Sequence, residues 1–310
     1  MGYEKFYSAA EAHYSKLRRE NFAKADYYLG VLHSDEKYLS AYNAYNAARF
    51  DLFKAKRDGS TAKIAELNEK IEALKSEMRR IKAEKKIDDG MLLPHYSCAY
   101  CKDTGVTSDG KFCSCYKKFV QGEALRTLGL TERVYPDYDD LAKESENRLD
   151  AIYEKMRNYI EKFPNSKSPL VISGEVGVGK SMLALSTAGK IAEKGYNVIF
   201  LTAYELHAVF LKYASAPFGE KDVYVETLTD CDLLVIDDLG CEPLLGNVSL
   251  QCLYGVINER SANSKPFIIT TNLTGDMIAE RYGEVLFSRI FNKRSGVEIR
   301  ISGKDLRLKK

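Results

Sequence analysis

Leu170-Val171-Ile172-Ser173-Gly174-Glu175-Val176-Gly177-Val178-Gly179-Lys180-Ser181 is the stretch that decides the fold of this chain. Its last eight residues satisfy G-x-x-x-x-G-K-[ST], and they stand between an apolar strand signal and a helical pattern, the context in which that motif builds a phosphate-binding loop. Glycines at 174, 177 and 179 let the backbone wrap tightly and aim several N–H groups at one point, where the following helix adds the positive end of its dipole. Lys180 is placed to reach the β- and γ-phosphates of a nucleotide, and the Ser181 hydroxyl to take a position on Mg²⁺. The competing reading is a tight strand-to-helix turn with a chance Lys-Ser; the strand before it and the helix after it weigh against that.

Downstream residues supply the rest of a nucleotide machine. Leu183, Thr187, Ala188 and Ile191 repeat as one helical face that Gly195 ends, and Asn197-Val198-Ile199-Phe200-Leu201 reads as a second strand. Leu233-Leu234-Val235-Ile236 is a third strand that runs into Asp237-Asp238-Leu239-Gly240. Asp237, at the strand's carboxyl end, is suited to hold the Mg²⁺ hydration shell, and Asp238 to orient an attacking water, because phosphoryl transfer needs mainly positioning and electrostatics. Pro266-Phe267-Ile268-Ile269 is a fourth strand leading to Thr270-Thr271-Asn272, which puts Asn272 beside the γ-phosphate where parallel strand ends face one crevice. Val297-Glu298-Ile299-Arg300-Ile301 is a fifth. Nearly continuous apolar strands alternating with helices predict an α/β parallel sheet covered on both faces.

Upstream the character changes. Residues 1–58 lack proline and are dense in alanine, tyrosine and phenylalanine, with Tyr3, Phe6, Tyr7 and Tyr14, and then Tyr38, Leu39, Tyr42 and Tyr45, at helical spacing. Such stripes are packing surfaces or docking faces, and the sequence does not separate the two. Asp58-Gly59 breaks the pattern, with Ser60 or Thr61 as cap of the next helix. Ile64, Leu67, Ile71, Leu74, Met78 and Ile81 then form a heptad seam of under three full heptads, which predicts a helical hairpin with short coiled-coil packing rather than a rod. Mixed charges on that segment point to a solvated face.

Asp88-Asp89-Gly90 precedes Cys98-Ala99-Tyr100-Cys101 and Cys113-Ser114-Cys115, two close pairs joined by turn residues. Cys98, Cys101, Cys113 and Cys115 can place four thiolates around one tetrahedral Zn²⁺, which would supply folding energy that so short and polar a segment lacks. Unliganded thiols are the alternative, with a redox dithiol further behind; His95 is a conceivable substitute ligand. Four cysteines leave no open position, so such a site is structural. Pro136 interrupts an otherwise helical connector.

The 310 residues carry 46 Lys+Arg against 44 Asp+Glu, so any nucleic-acid surface must be a local patch rather than a global field. No apolar run approaches a membrane span, and a signal-peptide stretch is missing at the start. A cytoplasmic protein with seven reduced or metal-bound cysteines is expected.

The segments Gly174–Ser181, Leu233–Gly240 and Ile268–Asn272, in this order, resemble an AAA+ ATPase of the DnaC/DnaI/IstB group, and the resemblance runs over about residues 165–310. Cys98–Gly105 and Cys113–Lys118 resemble the zinc segment of DnaC-like bacterial and phage replication proteins. The resemblance implies sheet order 5-1-4-3-2, ATP as the nucleotide, self-association through shared ATP sites, and no helical lid. It makes Asn272 the γ-phosphate sensor. Gly283–Ile290 is similar to the family box that ends in an arginine finger, which makes Arg289 a residue acting in a neighbour's site. The family's second arginine is replaced by Val285, with Arg281 upstream. Gly303-Lys304-Asp305-Leu306-Arg307 is similar to the family's closing segment and makes Arg307 the sensor-2 residue.

The implied division is 1–90 helical, 91–120 a zinc module, 121–164 a connector and 165–310 the ATPase. The implied function is ATP-dependent loading of a replicative ring helicase onto single-stranded DNA. An IstB-type transposition helper, or a nucleotide-gated adaptor with no DNA role, is the alternative.

Overall fold

The computed structural model describes residues 3–144, 149–166, 169–244, 248–292, 296–303 and 305. The chain forms two compact units, Met1–Ala10 with Phe112–Lys310, and Glu11–Lys111.

The larger unit is built on β1 (Leu170–Gly174), β2 (Val198–Thr202), β3 (Leu233–Leu239), β4 (Phe267–Thr271) and β5 (Val297–Ile301). They pair in the order β2-β3-β4-β1-β5, every pair parallel, as the resemblance implied. Leu170, Val171, Ile172 and Leu233 through Ile236 are all buried, which is what a sheet covered on both faces requires. The covering helices are α7 (Lys180–Glu193), α8 (Ala203–Ser215), α9 (Asp222–Asp230) and α10 (Ser249–Ala262), followed by α11 (Gly275–Tyr282) and α12 (Glu284–Ile290). Met156, Ile172, Leu183, Ala188, Phe200, Val235 and Ile268 share one apolar cluster between sheet and helices. Next come α4 (Ser114–Leu128), which starts within the expected cysteine module and runs into the 121–164 stretch, then α5 (Tyr138–Glu144) and α6 (Asp150–Lys162), with Pro136 in the break before α5.

The first turns of α1 (Glu4–His33) belong to this larger unit. Tyr3, Phe6 and Ala10 are buried. The Tyr116 hydroxyl donates to the Tyr7 carbonyl at 3.0 Å, and the rings of Phe112 and Tyr116 stack 4.8 Å apart.

In the smaller unit the helical hairpin is α2 (Glu36–Arg57) packed on α3 (Thr61–Glu84). Ala41, Ala48 and Ala55, one heptad apart, are buried on α2, and small residues there let α3 approach with Leu67, Ile71, Met78 and Ile81. Asp35 caps α2 by accepting the Tyr38 N–H at 3.0 Å. The bond from Lys85 to the same carboxylate, ahead of that cap bond, holds Asp35 below the usual carboxylate range. Ser60 occupies the cap position of α3, but its side chain makes no capping bond. The helix ends at Glu84, four residues before Asp88-Asp89-Gly90, because Lys86 turns left-handed (φ 55°) and the Ile87 N–H returns to the Lys82 carbonyl at 2.9 Å. The aromatic stripe on α2 divides: Tyr38 is buried, while Leu39 and Tyr42 face outward with Phe50 and Phe53.

Candidate functional site

A phosphate loop needs backbone where side chains will not fit. Gly174 (φ 149°) lies so close to β5 that a Cβ there would sit 1.9 Å from the Ile301 carbonyl oxygen. Gly177 (φ 77°) lies under the Asp305 carboxylate, which a Cβ would meet at 1.9 Å. Gly179 (φ 100°) is the N-cap of α7, so the loop delivers the helix N-terminus to the same concavity. Val178 is buried and anchors the loop, whereas Glu175 and Val176 form its exposed rim. A cradle shaped this way fits the phosphates of ATP.

Lys180 is 6% exposed, so its ammonium must be hydrogen-bonded or lose heavily in desolvation. It donates to the Gly174 carbonyl at 2.9 Å, to the Glu175 carbonyl at 2.6 Å and to Asn272 Oδ1. Asn272 Nδ2 donates in turn to Asp238 Oδ1 at 2.9 Å. The tip of β4 thus joins the loop lysine to the carboxylate at the end of β3. Ser181 follows Lys180, half-buried at the start of α7.

Thr270, fully buried on β4, holds both aspartates. Its hydroxyl donates to Asp237 Oδ1 at 2.6 Å and accepts the Asp238 N–H at 2.8 Å. Asp238 needs that bond, since its φ of 58° is left-handed and unfavourable for a residue with a Cβ. The Cys241 thiol donates to the Asp238 carboxylate; this bond first, then burial, pushes the thiol up to about 11. The structure therefore gathers Lys180, Asn272, Asp238 and Asp237 into one connected group. Sequence reasoning found those four and missed Thr270 and Cys241, which adjoin them in the same two motifs.

Arg289 is placed elsewhere. On α12, its Nε donates to Asn258 Oδ1 at 2.8 Å, its Nη1 donates to the Val285 carbonyl at 3.2 Å, and its guanidinium lies 4.9 Å from the centre of the Tyr254 ring. It is held against α10. Arg307 lies outside the described residues.

The sulfur atoms of Cys98, Cys101, Cys113 and Cys115 all lie within 4.8 Å of one another. A tetrahedral Zn²⁺ with Zn–S near 2.3 Å would set its sulfurs roughly 3.8 Å apart, so this donor set fits a structural ion. His95 is not in the cluster. Asp103, fully buried, shapes the first knuckle by accepting the Ser97 and Cys98 N–H groups at 2.9 and 2.8 Å and the Asn21 side chain at 3.2 Å. Among the described residues no helix is long and apolar enough to cross a membrane.

A parallel sheet in this order, with a phosphate loop after β1, paired carboxylates ending β3 and a polar residue at the tip of β4, defines an ATP-binding ATPase of the AAA+ class. The family described as IstB-like ATP binding protein matches residues 150–309, and the chain belongs to it. Over 153 residues it is 23% identical to the replicative helicase loader DnaC of Escherichia coli (strain K12), covering 49% of this chain and 62% of that relative. It is 25% identical over 228 residues to the phage-like element PBSX protein XkdC of Bacillus subtilis (strain 168), covering 67% of this chain and 83% of that one. A crystal structure of the DnaC helicase loader superposes with a TM-score of 0.45 at 24% identity, over 51% of this chain and 92% of that chain.

Proposed function

We propose that this ATPase is a DNA-replication protein that loads a replicative ring helicase onto single-stranded DNA, hydrolysing ATP at interfaces between its own copies. The observation that carries the reading is the similarity of its ATPase region to a replicative helicase loader. The connected group Lys180–Asn272–Asp238 supports hydrolysis rather than passive binding, since it ties a phosphate-contacting lysine to a carboxylate suited to orient water. Gly174 through Ser181 would cradle the ATP phosphates. Ser181 and Asp237 would hold Mg²⁺, which when bound neutralises charge on the phosphates. Arg289, turned toward α10, would act on the ATP of a neighbouring copy, and Arg307 would serve as the sensor-2 residue of its own site.

In this reading residues 1–90 and the cysteine module at 91–120 grip the helicase, 121–164 connect, and 165–310 hydrolyse ATP and touch DNA. A structural Zn²⁺ on Cys98, Cys101, Cys113 and Cys115 would keep the module folded. ATP binding would favour assembly and DNA contact, and hydrolysis release.

The test is native mass spectrometry of the chain with the replicative helicase of its own host, with and without ATP. A complex that disappears on deletion of residues 1–120 supports the reading, and no complex under either condition overturns it. An alanine at Lys180 that left ATP binding intact would count against the site assignment. The family description favours a second reading, an IstB-type transposition helper acting on duplex DNA beside a transposase. The cysteine module and aromatic helices argue for the first. Turnover with no response to single-stranded DNA would favour a nucleotide-gated adaptor.

A further inference from the structure

A buried carboxylate must be compensated by donors, and the donors reveal what it serves. Glu242, 6% exposed, follows the turn that ends β3. Its Oε2 accepts the Gly240 N–H at 2.9 Å, and its Oε1 accepts the Tyr282 hydroxyl. Arg281 completes the cluster, donating from Nη2 to the Glu242 carbonyl and from Nε to the Tyr282 hydroxyl at 3.3 Å. Tyr282 is itself buried, and burial, then the bond to Glu242, keeps its hydroxyl protonated well above the usual tyrosine range.

The two ends of this cluster lie in different machinery. On one side is the Asp238–Glu242 turn. The Cys241 N–H returns to the Asp238 carbonyl at 3.3 Å, and the Cys241 thiol donates to the Asp238 carboxylate. Gly240 (φ 115°) approaches the chain after Asn272 so closely that a Cβ would lie 2.6 Å from Leu273 Cδ1. On the other side, Tyr282 is the last residue of α11, and Gly283 (φ 84°) is at once its C-cap and the N-cap of α12, the helix of Arg289.

We infer that Glu242 is a positioning residue for hydrolysis, clamping the turn that aims Asp238 and tying it, through Tyr282, to the helix pair that carries Arg289. The inference rests on the reading of Asp238 as the water-orienting carboxylate. A carboxylate is an expensive staple where an apolar side chain would pack, because its desolvation must be offset bond by bond. What it supplies instead is direction: one oxygen fixes the backbone N–H of Gly240, two residues after Asp238 in the turn, and the other fixes a phenol at the end of α11. The position of Asp238 in one copy and the presentation of Arg289 to the next are thereby linked through a single side chain.

The test uses the full chain with Glu242→Gln and Tyr282→Phe, the second removing one hydroxyl and leaving the ring in place. ATP affinity is read by binding of a fluorescent ATP analogue, and kcat by phosphate release with and without single-stranded DNA. Each variant is expected to keep its ATP affinity within about two-fold and lose about ten-fold in kcat, the size of one charge-assisted orienting bond. The double variant should be no slower than the worse single one, because both act on the same Glu242–Tyr282 bond, one by removing its charge and the other by removing its donor. Wild-type kcat in Tyr282→Phe, or additive losses in the double variant, overturns the inference. So does a fall in ATP affinity that matches the fall in kcat, which marks a mere staple. Asp238→Asn keeps the two questions apart: wild-type turnover in that variant overturns the site reading itself, whatever Glu242 does.

Discussion

Thr270→Val tests the geometry of the site at its most buried point. Valine keeps the shape of threonine, so no cavity opens and the change is confined to one hydroxyl. That hydroxyl makes two bonds, to the Asp237 carboxylate at 2.6 Å and from the Asp238 N–H at 2.8 Å, in a residue with no solvent exposure. Removing a bond to a charged acceptor costs about 1.5–3 kcal/mol, and leaving a buried N–H unpaired costs about 1–3 kcal/mol. The expected loss is about 3 kcal/mol, concentrated where Asp238 already bears a left-handed φ of 58°. A chain of two units need not unfold in one step, so a global midpoint is the wrong observable. Hydrogen exchange of the peptide spanning Leu233–Gly240 reads the local effect, and 3 kcal/mol corresponds to a fall in protection of about 100-fold. ATP turnover should fall with it. Thr270→Ser keeps the hydroxyl and should stay close to wild type in both assays. Wild-type protection and turnover in the valine variant would refute the claim that this hydroxyl positions the two aspartates.

Arg260, fully buried, donates to the carbonyls of Leu228, Thr229 and Cys231 at 2.9, 3.1 and 2.9 Å, so Arg260→Met should destabilise the ATPase unit by about 3 kcal/mol or more; unchanged hydrogen-exchange protection in the peptide spanning Leu228–Ile236 removes it as the clamp of the α9–β3 junction. The cysteine cluster should carry one zinc per chain by elemental analysis, and Cys113→Ser should release it with loss of ordered exchange in residues 98–115. Cys241, exposed yet bonded to Asp238, has its thiol raised from 9.0 to about 11. A raised pKa favours the protonated folded form, so the bond is intact below pH 9 and is lost as pH rises through about 11. At pH 8, site-resolved iodoacetamide labelling of Cys241 should run up to about 100-fold slower than in the urea-unfolded chain, and faster again in Asp238→Asn; equal folded and unfolded rates would rule the bond out.

The sheet was legible because β1 to β4 are compact apolar runs, and those of β1, β3 and β4 lead into the site residues; β5 alternates, with only Ile299 and Ile301 buried, and strand order followed from the resemblance. The loop was legible because glycine spacing is a local signal, and Gly174, Gly177 and Gly179 all take positive φ. The α2–α3 hairpin was legible from a seam of Leu67, Ile71, Met78 and Ile81, all of them buried. Less visible was the division of α1, whose Phe6 belongs to the ATPase unit together with Tyr3 just before the helix, although the segment reads as one amphipathic run. Periodicity reports which face is apolar, not which neighbour it meets.

The residues that escaped sequence reasoning share a physical reason. Thr270 acts on aspartates 33 and 32 positions away, and Glu242 on a tyrosine 40 positions away. Hydrogen bonds of that range depend on the register of β3 against β4 and on where α11 lands, neither of which a local pattern encodes. β3 pairs with β4 in regular register up to Ile236 opposite Ile269, then shifts, so that Leu239 meets Thr271. That irregularity spans Asp237 and Asp238, turns Asp238 left-handed and brings its N–H to Thr270. A strand in unbroken register would place two successive aspartates on opposite faces of the sheet. The shift is what lets Asp237 bond Thr270 while Asp238 bonds Asn272, so both carboxylates reach the end of the sheet where Lys180 lies. The pair Asp237-Asp238 is therefore readable in the sequence as two acids. Its division between two bonding partners, Thr270 and Asn272, is a property of the sheet.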